Sequence, residues 1–351
     1  MEAGCAGEGR WATIAGQLSF AKRPLTPCCD ARQGGGIGER PVAESQRESV
    51  RAPVAAEPRP AKYVMRKLPE VVVLFWAIKI TCVTLGETLG DEFGITLKVG
   101  YLKSASIFLA FFIIAVVFQV RARRFHSPLF WAVILGTSTF GTEASDLMDR
   151  GPGHSGTVTT GIGYAWGAAI LLGILVAVFL VWWATGQTRD VENIATRKGE
   201  ILYWIAILTS NTLGTAVGDF LADDTGLGFR HAFYVVAGVM ILILAAHYLT
   251  RINTMLLFWL AFILTRPLGA AAGDSLVKPV AEGGQGWGTL WGSVVLAALL
   301  IGLVIYQTYQ VRHHPLGLYP APTHRVTGEP QVPNGMEVLA YGPHPDQIVV
   351  L

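Results

Sequence analysis

The stretch FWAIKITCVTLGETLGD, residues 75–91, decides how the rest of the chain is read. The same pattern returns as FWAVILGTSTFGTEASD at 130–146, YWIAILTSNTLGTAVGD at 203–219 and FWLAFILTRPLGAAAGD at 258–274. Counted from each tryptophan (Trp76, Trp131, Trp204, Trp259), a glycine stands ten residues on: Gly86, Gly141, Gly214, Gly269. A small residue stands fourteen on (Gly90, Ser145, Gly218, Gly273) and an aspartate fifteen on (Asp91, Asp146, Asp219, Asp274). Four matches at three offsets identify a tandem repeat, with tryptophan-to-tryptophan spacings of 55, 73 and 55 residues.

Each motif lies in one apolar stretch and is followed by a second that is almost purely apolar. A helix needs roughly 20 mostly apolar residues to cross a bilayer. Eight such stretches run at about 68–90, 100–120, 128–147, 158–184, 200–221, 231–250, 254–275 and 288–309. The expected fold is all-α: a polytopic membrane protein of eight transmembrane helices, arranged as four tandem helical hairpins with pseudo-symmetric packing. Its repeats fall at about 67–124, 125–187, 198–251 and 252–312, within a membrane domain of residues 67–312. Since each repeat holds two spans, all four share one orientation, unlike the inverted repeats of many secondary transporters.

Composition agrees. The 351 residues are 52% hydrophobic and only 15% charged, with a mean hydropathy of +0.44; soluble domains carry roughly 25% charged residues. A soluble enzyme and a simple nucleic-acid binder are excluded, and a net charge of +2 points to no anionic partner.

The flanks differ from the body. Residues 1–66 hold 17 of the 52 charged residues and show no sustained periodicity. They contain no apolar core of signal-peptide type, and they read as a disordered polar extension. Met65-Arg66-Lys67-Leu68-Pro69 looks like a natural start, so residues 1–64 read as an over-extended gene start. Cys5, Cys28 and Cys29 lack zinc-type histidine spacing and read as incidental thiols. Residues 313–351 read as a disordered cytoplasmic tail. Eleven Lys/Arg residues lie on one set of span flanks and five on the other. By the positive-inside rule both termini are expected on the cytoplasmic side.

At about 100° per residue, the special positions of each motif share one arc of a helix, facing into the bundle. Gly86/Gly90, Gly141/Ser145, Gly214/Gly218 and Gly269/Gly273 are small-xxx-small pairs, read as close helix packing. The four tryptophans sit near mid-depth and read as packing against those glycine ridges. From Lys67 to Asp91 is about 36 Å of helix, against a hydrocarbon core of about 30 Å, so the aspartates stand at the outer boundary. Each approaches a helix C-terminus, where the macrodipole disfavours an anion; four such acids call for cations or protons. Glu87 and Glu143 add two more carboxylates. Lys79 and Arg266, two turns below Glu87 and Asp274, are the ion-pair candidates, and Thr84, Thr139 and Thr212 continue a polar pathway inward. Carboxylates and hydroxyls without thiols or paired histidines suit a hard or borderline divalent ion such as Mn²⁺, Mg²⁺ or Ca²⁺. The expected metal ligands are therefore Asp91, Asp146, Asp219, Asp274, Glu87 and Glu143. His231 is a weak extra ligand, and Cys82 reads as filler.

On these four Trp/Gly/Asp motifs the chain resembles a bacterial family of membrane-anchored proteins built from four tandem repeats, each with two transmembrane segments and a characteristic tryptophan. The resemblance covers about residues 67–312 and implies an eight-span inner-membrane architecture. It implies no activity. The functional expectation rests on the residues: a transporter of a small cation, with Mn²⁺ export as the first specific expectation, and not an enzyme. No P-loop pattern G-x-x-x-x-G-K-[ST] occurs, so a proton or ion gradient would drive it. The expected partners are the bilayer, a small cation and protons, with no cofactor and no nucleic acid. Two alternatives stay open. One is a non-transporting scaffold or sensor in which the acids pair with Lys79 and Arg266. The other is an outer-leaflet membrane enzyme, against which no Ser/His/Asp or His-x-x-x-His arrangement accompanies the acids.

Overall fold

The computed structural model describes residues 62–65, 68–122, 124–151, 161–186, 194, 196–313 and short strands at 318–320, 339–341 and 348–349. Eight α-helices run through the described residues: α1 (Val73–Asp91), α2 (Tyr101–Arg121), α3 (Ser127–Arg150), α4 (Tyr164–Ala184), α5 (Arg197–Asp219), α6 (Gly228–Leu249), α7 (Thr254–Val277) and α8 (Thr289–His313). The starts are chemically defined. Pro128 occupies the first turn of α3, where its missing N–H costs nothing. Thr196 caps α5 by accepting from Gly199 N at 3.0 Å, and Asn253 caps α7 by accepting from Met255 N at 2.9 Å. Gly100 (φ 87°) and Gly163 (φ 83°) precede α2 and α4 in equivalent places; a side chain there would be strained.

The chain is a polytopic helical membrane protein. Seven of these helices are long and apolar enough to cross a membrane by length and composition. The eighth, α3, carries Glu143, Asp146, Asp149 and Arg150, which lower its hydropathy. It stands between α1 and α5, so its polar face meets protein.

The helices form two concentric layers. In the inner layer α1 packs on α3, α3 on α5, α5 on α7, and α7 back on α1, which closes a ring. In their most apolar windows α1, α5 and α7 are 67%, 72% and 67% buried, whereas α2, α4, α6 and α8 are 28%, 22%, 22% and 17% buried. The outer four turn side chains such as Phe118, Trp183, Leu242 and Ile305 outward, the surface that lipid tails cover.

Within this architecture the pairing differs from four self-contained hairpins. Each outer helix packs chiefly on the inner helix of the next repeat: α2 on α3, α4 on α5, α6 on α7, and α8 on α1. Partners from the same repeat barely touch. The connections Ala122–His126 and Thr250–Asn253 are short, and short connections make antiparallel neighbours. The outer helices are apolar around most of their surface, with only a few buried polar residues such as Gln119, His247 and Gln307, so their periodic signal is weak.

Two sets of contacts repeat around the ring with cyclic order. The first aromatic of each motif meets the tryptophan of the next. Phe75–Trp131, Phe130–Trp204, Tyr203–Trp259 and Phe258–Trp76 have ring centroids 5.5, 5.6, 6.3 and 5.8 Å apart. Such pairs add about 0.5–1.5 kcal/mol each beyond burial. About three turns further along, a Cβ built on Gly86, Gly141, Gly214 or Gly269 would stand 3.2, 3.1, 3.1 or 3.0 Å from a backbone atom of Ser138, Thr212, Ile263 or Thr84. The four inner helices thus meet backbone to backbone at one level, which only glycine allows.

An outer helix also reaches the belt. Gln307 of α8 accepts from Trp131 Nε1 at 2.6 Å and from Ser127 Oγ at 2.5 Å, all three buried. Gln307→Leu should leave both donors unsatisfied and lower stability by about 1–3 kcal/mol, measurable as the shift in thermal unfolding of the detergent-solubilised protein.

The expectation of disorder for 1–66 and 313–351 falls mostly outside the described residues, as does the reading of Cys5, Cys28 and Cys29. Within them, strands β1 (Lys62–Met65), β2 (Leu318–Pro320), β3 (Leu339–Tyr341) and β4 (Ile348–Val349) form an antiparallel sheet in the order β2-β1-β3-β4. Segments of two to four residues are too short for periodicity to reveal.

Candidate functional site

The interior of the ring is polar in layers above the aromatic belt. The lowest joins all four inner helices. Lys79 of α1, fully buried, donates from Nζ to Asn211 Oδ1 of α5 at 3.0 Å and stands 4.0 Å from the centre of the Phe262 ring of α7. Asn211 Nδ2 donates to Thr137 Oγ1 of α3 at 2.8 Å. Lys79 therefore meets an amide and a π face, and the expectation that it reaches an acid is corrected. A carboxamide at this depth neutralises no charge but satisfies the ammonium, which is what a buried polar group requires.

The next layer is an ion pair. Arg266 of α7, also fully buried, donates from Nη2 to Glu87 Oε2 of α1 at 2.7 Å and from Nη1 to the Val83 carbonyl at 3.2 Å. Its Nη2 also meets Thr142 Oγ1 of α3 and lies 3.5 Å from the Ser138 carbonyl. Thr142 in turn donates to Glu87 Oε2 at 3.1 Å. Seven residues after each tryptophan stand Val83, Ser138, Asn211 and Arg266, so one ring position supplies several partners of both layers.

The aspartates make the outer layer, and they alternate. In repeats two and four the helix continues past the acid, and a cation follows one turn later. Arg150 Nε lies 3.2 Å from Asp146 Oδ1, and Lys278 Nζ lies 2.9 Å from Asp274 Oδ2. A cation in the last turn is what a helix C-terminus favours. In repeats one and three the helix loosens directly after the acid into a π-helical turn, Glu92–Thr96 after Asp91 and Phe220–Asp224 after Asp219. Single π turns recur at functional sites. Arg150 also reaches across to Asp219 (3.8 Å) and Asp223 (3.7 Å), and donates to Tyr164 OH at 2.8 Å. Partial burial works against the charged form of Lys278, but the Asp274 carboxylate offsets this and holds its affinity for a proton above the usual lysine range.

One oxygen from each of Glu87, Asp91 and Asp274 lies within 4.8 Å of the others, a spacing that could hold a metal ion. Of the expected ligand set, the structure brings these three together. Asp146 and Asp219 converge on Arg150. Glu143 is buried with its carboxylate against Gly94 of the first π turn, outside the 4.8 Å group. Thr84, Thr139 and Thr212 donate back to the carbonyls of Ile80, Leu135 and Leu208 at 2.9, 3.1 and 3.0 Å. The polar track thus runs through Ser138, Asn211 and Arg266, one residue earlier in each motif. His231 Nδ1 lies 3.0 Å from the Leu227 carbonyl on an exposed turn, and Cys82 is buried with Sγ 3.7 Å from the Trp131 carbonyl; neither belongs to the acid layer.

Sequence reasoning missed Arg150 and Lys278 as site residues because they were counted as loop charges. The signal was present: each stands four residues after a motif aspartate, on the same helix face. Asn211 was equally visible at the seventh position, beside Arg266.

A comparison with curated proteins finds no match, and neither does a comparison with solved structures. A family model described as a Repeat of Unknown Function (DUF347) matches four times, over residues 74–125, 129–188, 202–253 and 257–313. These boundaries fall where the four motifs and their outer helices begin and end, so the chain belongs to the DUF347 repeat family, with four tandem copies in one membrane bundle.

Proposed function

We propose that this protein moves a small cation across the membrane, and that the acid layer is its binding site at the outer end of the path. The observation that carries this reading is the trio Glu87, Asp91 and Asp274, whose oxygens lie within 4.8 Å at one end of a closed four-helix ring. All-oxygen donors suit a hard or borderline divalent ion, and Mn²⁺, moving outward, is the first substrate to test. In this reading the protein is not an enzyme and needs no resident cofactor. It sits in a bacterial inner membrane with both ends in the cytoplasm, an orientation resting on the Lys/Arg bias.

The chemistry follows the layers. Six carboxylates (Glu87, Asp91, Glu143, Asp146, Asp219, Asp274) face four cations (Lys79, Arg150, Arg266, Lys278), leaving a negative surplus to attract a cation or bind protons. Lys278 and Arg266 already bond to Asp274 and Glu87. A cation passing through this layer must therefore compete with a tethered ammonium and a guanidinium, which favours transient over tight binding. Below, Arg266 and the aromatic belt close the ring, so passage requires the inner helices to part. Protons taken up by the same acids would provide the coupling.

The competing reading is a structural ring whose acids only pair with Arg150, Arg266 and Lys278; the ion pairs already made by Glu87, Asp146, Asp219 and Asp274 favour it. Full-length protein in liposomes containing a Mn²⁺-quenched dye separates the two. Transport predicts quenching faster than in empty liposomes. Asp91→Asn should cut it by about tenfold or more, the effect of losing one ligand of a small charged set, while the thermal unfolding temperature stays near wild type. Absence of Mn²⁺, Mg²⁺ and Ca²⁺ flux in the wild type would refute the reading.

A further inference from the structure

A groove of about 450 Å³ runs between α2 and α5, lined by Phe112, Val116, Val117, Val120, Ile201, Ile205 and Leu208, with Trp204 at its floor. Arg121, the last residue of α2, and Arg197, the first of α5, stand at its mouth. Both arginines are exposed, and neither has an ion-pair partner among the described residues. We propose that this groove binds one anionic phospholipid, its phosphate held by Arg121 and Arg197 and an acyl chain lying along the groove. The site is at the opposite end of the bundle from the acid layer and does not depend on the transport reading.

Three observations commit the site to this occupant. The first is charge: two free guanidiniums at the rim of an apolar groove match an anion joined to a hydrocarbon, and basic pockets between spans hold acidic headgroups in this way. The second is length. From Arg197 to Leu208 is about 16 Å of helix, and one leaflet of a bilayer core is about 15 Å deep. A chain anchored at the arginines thus ends near the midplane.

The third observation is a difference between grooves that the repeat makes equivalent. Between α8 and α3, Gln307 fills the gap and satisfies the Trp131 N–H at 2.6 Å. Between α4 and α7, Trp182 and Phe179 close it, their rings 6.2 and 4.9 Å from that of Trp259. Between α2 and α5 the corresponding residue of α2 is Gln119, which is buried and makes contacts of its own, and the groove beside it, lined by Phe112, valines, isoleucines and Leu208, stays open. The Trp204 indole N–H there has no acceptor among the described residues, although the side chain is 2% exposed. Buried donors are rarely left so.

The test is native mass spectrometry of the full-length protein released from detergent after incubation with equal amounts of phosphatidylglycerol and phosphatidylcholine of matched chains. The wild type should retain phosphatidylglycerol roughly tenfold over phosphatidylcholine, the order expected for two arginines at an anionic headgroup. Arg121→Gln with Arg197→Gln should abolish the preference. Lys98→Gln with Lys103→Gln, at the other end of the bundle, should leave it intact. Val117→Trp, which fills the groove, should lower retention of both lipids. Equal retention by the wild type would overturn the proposal, and that arm needs no variant to fold. So would a preference that survives the arginine double variant, or one lost equally in the lysine control. Displacement of phosphatidylglycerol by oleate or inorganic phosphate at equal concentration would overturn the phospholipid as occupant.

Discussion

Arg266→Met should destabilise the protein more than any other single change at an ionisable residue, by about 3–5 kcal/mol, because it strands a buried carboxylate. Arg266 is fully buried and bonds to Glu87, Thr142 and two backbone carbonyls from two neighbouring helices. Without it, Glu87 keeps only the Thr142 hydroxyl as a donor among those contacts. The double variant Glu87→Gln with Arg266→Met removes both charges together and should recover a large part of the loss, since replacing both partners costs less than breaking the pair. Thermal unfolding of the detergent-purified proteins measures the cycle. Additive single and double losses would show that the pair does not hold α7 to α1.

Gly269→Leu should prevent the ring from closing. A Cβ at this position already stands 3.0 Å from Thr84 N and 3.1 Å from Val83 C, backbone atoms that cannot rotate aside. Even Gly269→Ala should cost about 1–3 kcal/mol as overpacking, and the further atoms of leucine must force α7 from α1. Gly173 and Gly238, on the outer helices α4 and α6, have nothing within 4 Å of a built Cβ. Alanine at either should be neutral or stabilise by up to about 1 kcal/mol through helix propensity. Fluorescence-detected size exclusion of the four variants reads the contrast: aggregated material for Gly269→Leu, a wild-type peak for Gly173→Ala and Gly238→Ala. A monodisperse Gly269→Leu peak of unchanged stability would contradict the close approach.

How far the sequence reveals this molecule depends on the kind of signal. The inner helices were legible because their contacts recur at fixed offsets. Ten after the tryptophan comes the glycine that meets the neighbouring backbone, and fifteen after it the outer acid. The role of Phe75, Phe130, Tyr203 and Phe258 was not, because a stack between successive repeats is a relation across helices, invisible to periodicity within one. The same limit hid the partner of each outer helix. α2, α4, α6 and α8 are apolar over most of their surface, so hydropathy states that they cross the bilayer but not which neighbour they lean on. Lys79 illustrates a third limit. Its charge called for an acid, but the closest fit in three dimensions was the amide of Asn211, and spacing along one helix carries no information about the helix opposite.

The handing-on of each outer helix to the next inner one has a consequence for biosynthesis. A chain emerging from the ribosome inserts its segments in order, and α2, α4 and α6 find their places as soon as the following helix arrives. The flank of α1 waits for α8, and the Phe258–Trp76 stack waits for α7. No partial product can satisfy its first span. The eighth helix is the keystone, and a nascent chain that stalls before it presents an open seam.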